Sequence, residues 1–248
     1  MQLDEKWAFV AKKQDHVEAD DPPEWGDAWD HTAVDAEHRL LLAVVPGKRT
    51  SENCRKIVQE MKERTGGRAD LLITSDAYAP YATQIEEAYH RLVPQPKRPG
   101  PGRPPNPKRV MPEFLCYATV CKKREKGRVV EVTRELVFGA LFVLTWLLQR
   151  SRVSEVINTA FVERHNGTDR RQNARKHRKT NGFSKDASVH EAATYFVGYC
   201  YNFCWAVKTL AVKDESGRWQ ARTPAMAAGL ADHLWTLQEW LTYPAKHS

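Results

Sequence analysis

The sequence predicts an α/β protein built on a mixed sheet, and three observations carry that prediction. Two apolar stretches, 29–34 and 40–45, flank the turn-like Asp35-Ala36-Glu37-His38, which is a hairpin signature. A short apolar run bounded by polar residues, Asp70 to Ser75, reads as a buried central strand. Helical patterns alternate with these, so strand, hairpin, helix, strand and helix succeed one another.

Taken in order, Leu3 to Lys12 mixes apolar and polar residues as a strand does, and an acidic loop with Pro22, Pro23 and Gly26 follows it. Three strands in antiparallel succession are expected. Thr50 or Ser51 caps a helix running to Thr65, with Ile57, Val58 and Met61 on one face and Gly66-Gly67 beyond its end. Asp76 stands directly after the buried strand, and a second helix is expected from about Tyr81 to Leu92. Pro94 to Pro112 holds eight prolines and two glycines, so it is expected to be extended rather than packed. Phe114 to Val120 and Arg128 to Phe138 pair as strands around a basic turn, Lys122 to Gly127. Leu141 to Arg150 reads as a helix. Asn158-Thr159 starts another, with Glu163 in its first turns and Gly182 at its close. An aromatic helix from about Val189 to Val207, a polar loop from Lys213 to Arg222 and an amphipathic helix through about Leu241 complete the chain. This divides the chain into a first part of the α/β domain (1–93), a basic Pro-rich linker or insertion (94–112), a second part of that domain (113–185) and a C-terminal helical region (186–248).

Composition narrows the function classes. Apolar residues make up 42% and charged residues 28%, enough for a packed core. The longest apolar run, Leu136 to Leu148, is short of the roughly 20 residues of a membrane span, and the acidic N-terminus is not that of a secretory signal. Five cysteines show no CxxC spacing, and Cys200 and Cys204, one helical turn apart among aromatic residues, read as buried thiols in a reducing cytoplasm. The net charge of +7 is segregated. Gln14 to His38 carries nine acids and no Lys or Arg, whereas Glu163 to Lys179 carries seven basic residues against two acids. Such blocks point to a phosphate-binding surface beside a solvated acidic segment. The Pro-rich segment, with Lys97, Arg98, Arg103, Lys108 and Arg109, reads equally as a linker or as a track for DNA backbone.

Three acids stand out by position: Asp4 within a strand, Asp76 at a strand end and Glu163 in an otherwise apolar helix start. Singly, each has a plain structural reading as solvated terminus, helix cap or partner of the helix dipole. Jointly they suggest more. Converging carboxylates on or beside buried strands repel one another unless a cation relieves them. Hard oxygen ligands suit Mg²⁺ or Mn²⁺, and two such ions assist in-line phosphoryl displacement.

Several stretches resemble the DDE transposases of bacterial and archaeal insertion sequences, particularly the "IS one" type. They are Leu3-Asp4-Glu5-Lys6-Trp7, Thr74-Ser75-Asp76-Ala77-Tyr78, Asn158-Thr159 through Phe161-Val162-Glu163-Arg164, and Arg175 with Arg178-Lys179-Thr180 ahead of Phe183-Ser184-Lys185. The tail Arg222-Thr223-Pro224-Ala225-Met226 through Trp235 also looks like related sequences. The resemblance spans nearly the whole chain and implies an RNase H-like fold in which Asp4, Asp76 and Glu163 bind a pair of Mg²⁺ or Mn²⁺ ions. It implies DNA cleavage followed by 3′-hydroxyl strand transfer, with transposon ends and target DNA as partners, a homodimer in the DNA complex, and a prokaryotic, nucleoid-associated setting. Complete members of that family carry an N-terminal DNA-binding region, and this chain begins three residues before Asp4. The expected piece is therefore the catalytic part, binding DNA mainly without sequence preference.

DNA contacts are expected from Lys6, Arg164, Asn166, Arg170, Arg171, Arg175, Arg178, Lys179 and Lys185. Arg164, Arg171, Arg175 and Arg178 are spaced by seven, four and three, which makes one stripe on a continuous helix. Asn166 and Arg170 share a face with Glu163 and are expected to orient the scissile phosphate or the nucleophile, whereas His165 points elsewhere. Two rival readings stand beside the transposase: an RNase H-like nuclease or resolvase that only hydrolyses, and a catalytically inactive DNA-binding remnant.

Overall fold

In the computed structural model, residues 1–96, 103, 105–177 and 179–244 are described. The first strand, β1 (Gln2–Val10), pairs antiparallel with β2 (Gly26–Asp35), which pairs antiparallel with β3 (Leu40–Gly47). The helix α1 (Ser51–Arg64) leads to β4 (Leu72–Ser75), and α2 (Pro80–Tyr89) leads to a small hairpin, β5 (Arg91–Val93) with β6 (Lys108–Val110). Next come β7 (Cys116–Glu125) and β8 (Arg128–Phe138), then α3 (Leu141–Arg150), α4 (Ala160–Gln172) and α5 (Ala187–Cys204). The chain closes with the two-residue pair β9 (Val212–Lys213) and β10 (Trp219–Gln220) and two short helices, α6 (Pro224–Ala227) and α7 (Leu237–Thr242).

Six strands form one mixed sheet in the order β3-β2-β1-β4-β7-β8. β4 lies parallel to β1 and to β7, and the other neighbours are antiparallel. The α/β class and mixed sheet expected from the sequence are therefore present.

Strand alternation sorts side chains onto two covered faces. Leu3 of β1 and Ile73 of β4 pack with Ile57, Val58 and Met61 of α1 and Ile85 of α2 in the largest buried cluster. The α1 stripe forms because Cys54, Ile57, Val58 and Met61 recur at helical spacing and Thr50 caps the start, accepting from the Asn53 N–H at 3.2 Å. The opposite face carries Gln2 and Thr74. The Gln2 carboxamide accepts from the backbone N–H groups of Phe161 (2.9 Å) and Val162 (3.0 Å) and donates to the Asn158 carbonyl (2.8 Å). One buried polar side chain thereby satisfies the otherwise unpaired first N–H groups of α4 and seats that helix on β1.

Several boundaries differ from expectation, each for a local reason. The helix expected to run from Thr159 to Gly182 ends at Gln172, because Asn173 leaves helical geometry and its side chain caps a separate 3-10 turn, Ala174–Lys176. The second helix stops at Tyr89 rather than Leu92, where β5 takes over and pairs with a piece of the Pro-rich segment. The rest of that segment's prediction, at 97–102 and 104, lies outside the described residues. The hairpin turn is only Lys126-Gly127, with φ of +48° and +80°, so the residues expected as a long basic turn are mostly strand. The final amphipathic helix is reduced to α6 and α7. No helix among the described residues is long and apolar enough to cross a membrane.

Candidate functional site

Asp4 and Asp76 come together through the parallel pairing of β1 and β4. Gln2 is paired with Thr74, and Asp76, directly after the end of β4, lies close enough to Asp4 for its charge to act on that carboxyl. Both acids share the parity of Gln2 and Thr74, which places Asp4 on the sheet face that α4 covers. The Asn166 amide on α4 donates to Asp4 Oδ2 at 2.8 Å. Asp4 is pushed up to about 7, first by burial and then by repulsion from Asp76 and Glu5, with the Asn166 bond opposing. Asp76 is more open, at 44% side-chain exposure, and its Oδ1 accepts from the Tyr78 N–H at 3.1 Å. It closes a local turn and does not cap α2, whose first flanking residue is Ala79.

Glu163 lies on α4 three residues before Asn166, hence on the same helix face. Its carboxylate is turned to the Lys122 ammonium on β7 and to the Thr159 hydroxyl, which donates at 2.5 Å. Among the described residues no three His, Cys, Asp or Glu side chains are arranged to hold a metal ion. The structure thus brings Asp4 and Asp76 together and puts Glu163 on a neighbouring turn, in an ion pair with Lys122. The donor chemistry of the Asp4–Asp76 pair fits a hard divalent cation, because two adjacent carboxylates, one of them disfavoured as an anion, gain from neutralisation.

Two residues near this pair were not singled out in the sequence. Arg49 bonds Glu5 Oε2 at 2.8 Å and reaches Asp76 Oδ2 at 3.9 Å, with its guanidinium 3.9 Å from the Tyr78 ring centroid. Glu5, on the opposite face from Asp4, is 8% exposed and is held by that arginine. Lys122 is the other. No sequence signal separates it from its basic neighbours, because only the β7 register points it toward α4.

Of the expected DNA contacts, Lys6 is a correction. It is 3% exposed and pairs with Asp30 (3.1 Å) and Asp169, so its charge is internal. Around it lies a buried ionic cluster. Lys176 donates to Asp30 Oδ2 at 2.5 Å and to the Thr194 hydroxyl at 2.6 Å, and His190 Nε2 stands 3.6 Å from Asp30 Oδ1. Burial of Lys176 against Asp30 also explains why the helix cannot run on to Gly182. Asn166 is likewise buried and spends its amide on Asp4, so it positions an acid and does not reach a phosphate. The expected arginine stripe is broken. Arg164 and Arg171 are exposed on α4, Arg175 sits half-buried in the 3-10 turn, and Arg178 lies outside the described residues. Arg170 is half-buried, and Lys179 and Lys185 are exposed beyond the helix. His165 is buried edge-on to Tyr201 at 4.9 Å and lowered to about 4, mainly by burial.

No known protein family, curated protein or solved structure matches the chain.

The strained Asp4 carboxyl has a measurable consequence. Its folded value, about 7, lies above the ordinary 3.8, so the folded state holds this proton more tightly than the unfolded chain does. Stability from this group is fully present below about 4 and is lost as pH rises to about 7. Asp4→Asn removes the penalty while keeping an acceptor for Asn166. In chelator, the variant's Tm relative to the parent is expected to climb between about pH 4 and pH 7 and to level off above that. A difference that stays flat across that range would show that Asp4 ionises freely.

Proposed function

We propose that this chain is the catalytic part of a DDE-type transposase with an RNase H-like fold, acting on DNA with Asp4, Asp76 and Glu163. The observation that carries the reading is the pairing of Asp4 on β1 with Asp76, just past the end of the parallel β4, with Asp4 held up at about 7 and fixed by Asn166 of the helix bearing Glu163. The three acids stand on a strand, at a strand end and on a helix, as the residue pattern alone suggests. A bound pair of Mg²⁺ or Mn²⁺ ions would neutralise the carboxylates and lower the charge barrier to attack at phosphorus.

The protein's own groups do the positioning. Asn166 orients one oxygen of Asp4, and the Tyr78 N–H fixes one oxygen of Asp76. Arg49, spread between Glu5 and Asp76, holds the rim. Glu163 joins them by releasing Lys122, an ion pair at the surface and therefore worth only about 0–1 kcal/mol. In the reaction, water breaks a phosphodiester and leaves a 3′-hydroxyl. That hydroxyl then attacks a target phosphodiester, so one bond forms as one breaks. A homodimer on DNA and a prokaryotic, nucleoid-associated setting belong to the same proposal.

The test uses duplex DNA with pre-cleaved 3′-hydroxyl ends and Mg²⁺ or Mn²⁺. Joined products that vanish with Asp76→Asn support the transposase. Cleavage without joining assigns a hydrolytic nuclease or resolvase, and DNA binding without divalent-dependent cleavage assigns an inactive remnant.

A further inference from the structure

The hairpin of β7 and β8 outgrows the sheet. Residues 123–135 are exposed on both strands, whereas Lys122 and the base of the hairpin, with Leu136 and Phe138 packed on the core, are at least partly covered. β8 is also the edge strand. A two-stranded ribbon standing free in this way is stable only marginally by itself, which makes its side-chain pattern informative.

The cross-strand register sorts its charges. Cross-strand partners share a face, and the pairs Val120–Arg134, Lys122–Val132 and Arg124–Val129 lie on one side. Lys123–Glu131 and Glu125–Arg128 lie on the other, with the Glu135 that faces Thr119. A bulge between Lys123 and Arg124 absorbs Val130 and keeps the alternation in step on both strands. An ion pair at 3.4 Å between Lys123 and Glu125 agrees with their shared side. All three ribbon carboxylates therefore fall on one face. The opposite face carries Lys122, Arg124 and Arg134 with three valines and no acid.

That acid-free face is the one turned toward α4. Lys122 reaches Glu163, and Arg134 Nε donates to the Ile157 carbonyl at 2.7 Å just before that helix. Arg124, further out, has no hydrogen bond or ion pair among the described residues. A solvated ribbon has no physical reason to segregate its charges by face, since random placement serves solubility as well. A row of cations spaced along a ribbon beside a carboxylate pair matches a polyanion that crosses both.

We propose that the Lys122–Arg124–Arg134 face of the β7–β8 ribbon is a binding surface for the phosphate backbone of duplex DNA, guiding the duplex over the Asp4–Asp76 pair. A two-stranded ribbon is narrow enough to lie along or within a groove. The contacts are to phosphate and carry no base information. The inference rests on the reading above only for its choice of partner. Measured in chelator, binding is separated from cleavage, so failure of either leaves the other standing.

The test is the salt dependence of affinity of the full chain for a fluorescent duplex. Replacing Lys122 and Arg124 together by Ala is expected to weaken binding at least tenfold near 0.1 M salt and to make the log–log slope shallower by about 1.8, roughly 0.9 per lost phosphate contact. Replacing Lys123 and Arg128 together, which removes the same charge from the other face, should leave the slope unchanged. Lys122→Arg with Arg124→Lys should restore it. Equal effects from the two faces would reduce the ribbon to general charge and overturn the proposal, as would no effect from either. A dimer in sedimentation that Val129→Asp dissociates, with DNA affinity intact, would overturn it in favour of a contact between copies.

Discussion

Glu163→Gln is expected to leave duplex DNA binding within about twofold of the parent while cutting Mg²⁺-dependent cleavage roughly a thousandfold, the equivalent of about 4 kcal/mol of barrier. The substitution keeps the shape of the side chain and an oxygen that can accept from the Thr159 hydroxyl, now 2.5 Å away. What it removes is the negative charge, together with an ion pair to Lys122 between side chains 41% and 26% exposed. A pair that open contributes little to stability, so the fold should hold. Filter binding in chelator and cleavage in Mg²⁺ read the two properties apart. Equal loss of binding and cleavage would make Glu163 structural. Undiminished cleavage would exclude it as the third acid and leave Asp4 and Asp76 to act without it.

The elements that place Asp4 and Asp76 were legible because they rest on local signals. Asp70 to Ser75 is a short apolar run bounded by polar residues, with Asp76 directly after it; Leu3 to Lys12 mixes apolar and polar residues as a strand does. The hairpin of β2 and β3 was equally clear from the turn between two apolar runs. What sequence could not supply is pairing between distant charges. Lys6 and Asp30 lie on neighbouring strands, but Asp169 and Lys176 join them from 163 and 170 positions further along the chain than Lys6. Nothing near Lys6 in sequence distinguishes a buried lysine from a phosphate-binding one. The same limit produced the overlong α4. Helical charge spacing from Arg164 to Arg178 looks continuous, yet Lys176 is drawn into the interior by Asp30, and a straight helix cannot deliver it there. On the ribbon, composition marked Lys122 to Gly127 as a basic turn, whereas register decides that only some of those cations lie on the face turned toward α4.

Disrupting the buried ionic cluster is expected to have the largest effect on stability of any single polar change in the chain. Asp30 is fully buried and accepts from Lys176 at 2.5 Å while standing 3.1 Å from Lys6. Asp30→Ala strands two ammonium groups with one remaining partner, Asp169, and a buried uncompensated charge costs about 3–5 kcal/mol. For a chain of this length that corresponds to a fall in Tm of roughly 6–20 °C. Acid should act on the same cluster. Lys176 and Lys6 overcome the burial penalty and hold Asp30 well below the ordinary carboxylate value, and Asp169 is lowered too by the same two ammonium groups. A depressed folded value means the unfolded chain takes up the proton first, so the stabilisation is present above about 4 and is lost as pH falls below it. Thermal melts of the parent should therefore drop steeply between pH 4 and pH 2, and those of Asp30→Asn should drop less. Because Asp169 ties α4 to β1 two positions along from Asp4, the same melts report how firmly the helix carrying Glu163 is seated. A loss under about 1 kcal/mol for Asp30→Ala, with an unchanged acid profile, would mean that water or a shifted side chain replaces Asp30 and that α4 is seated by Gln2, by the Asn166–Asp4 bond and by its apolar contacts.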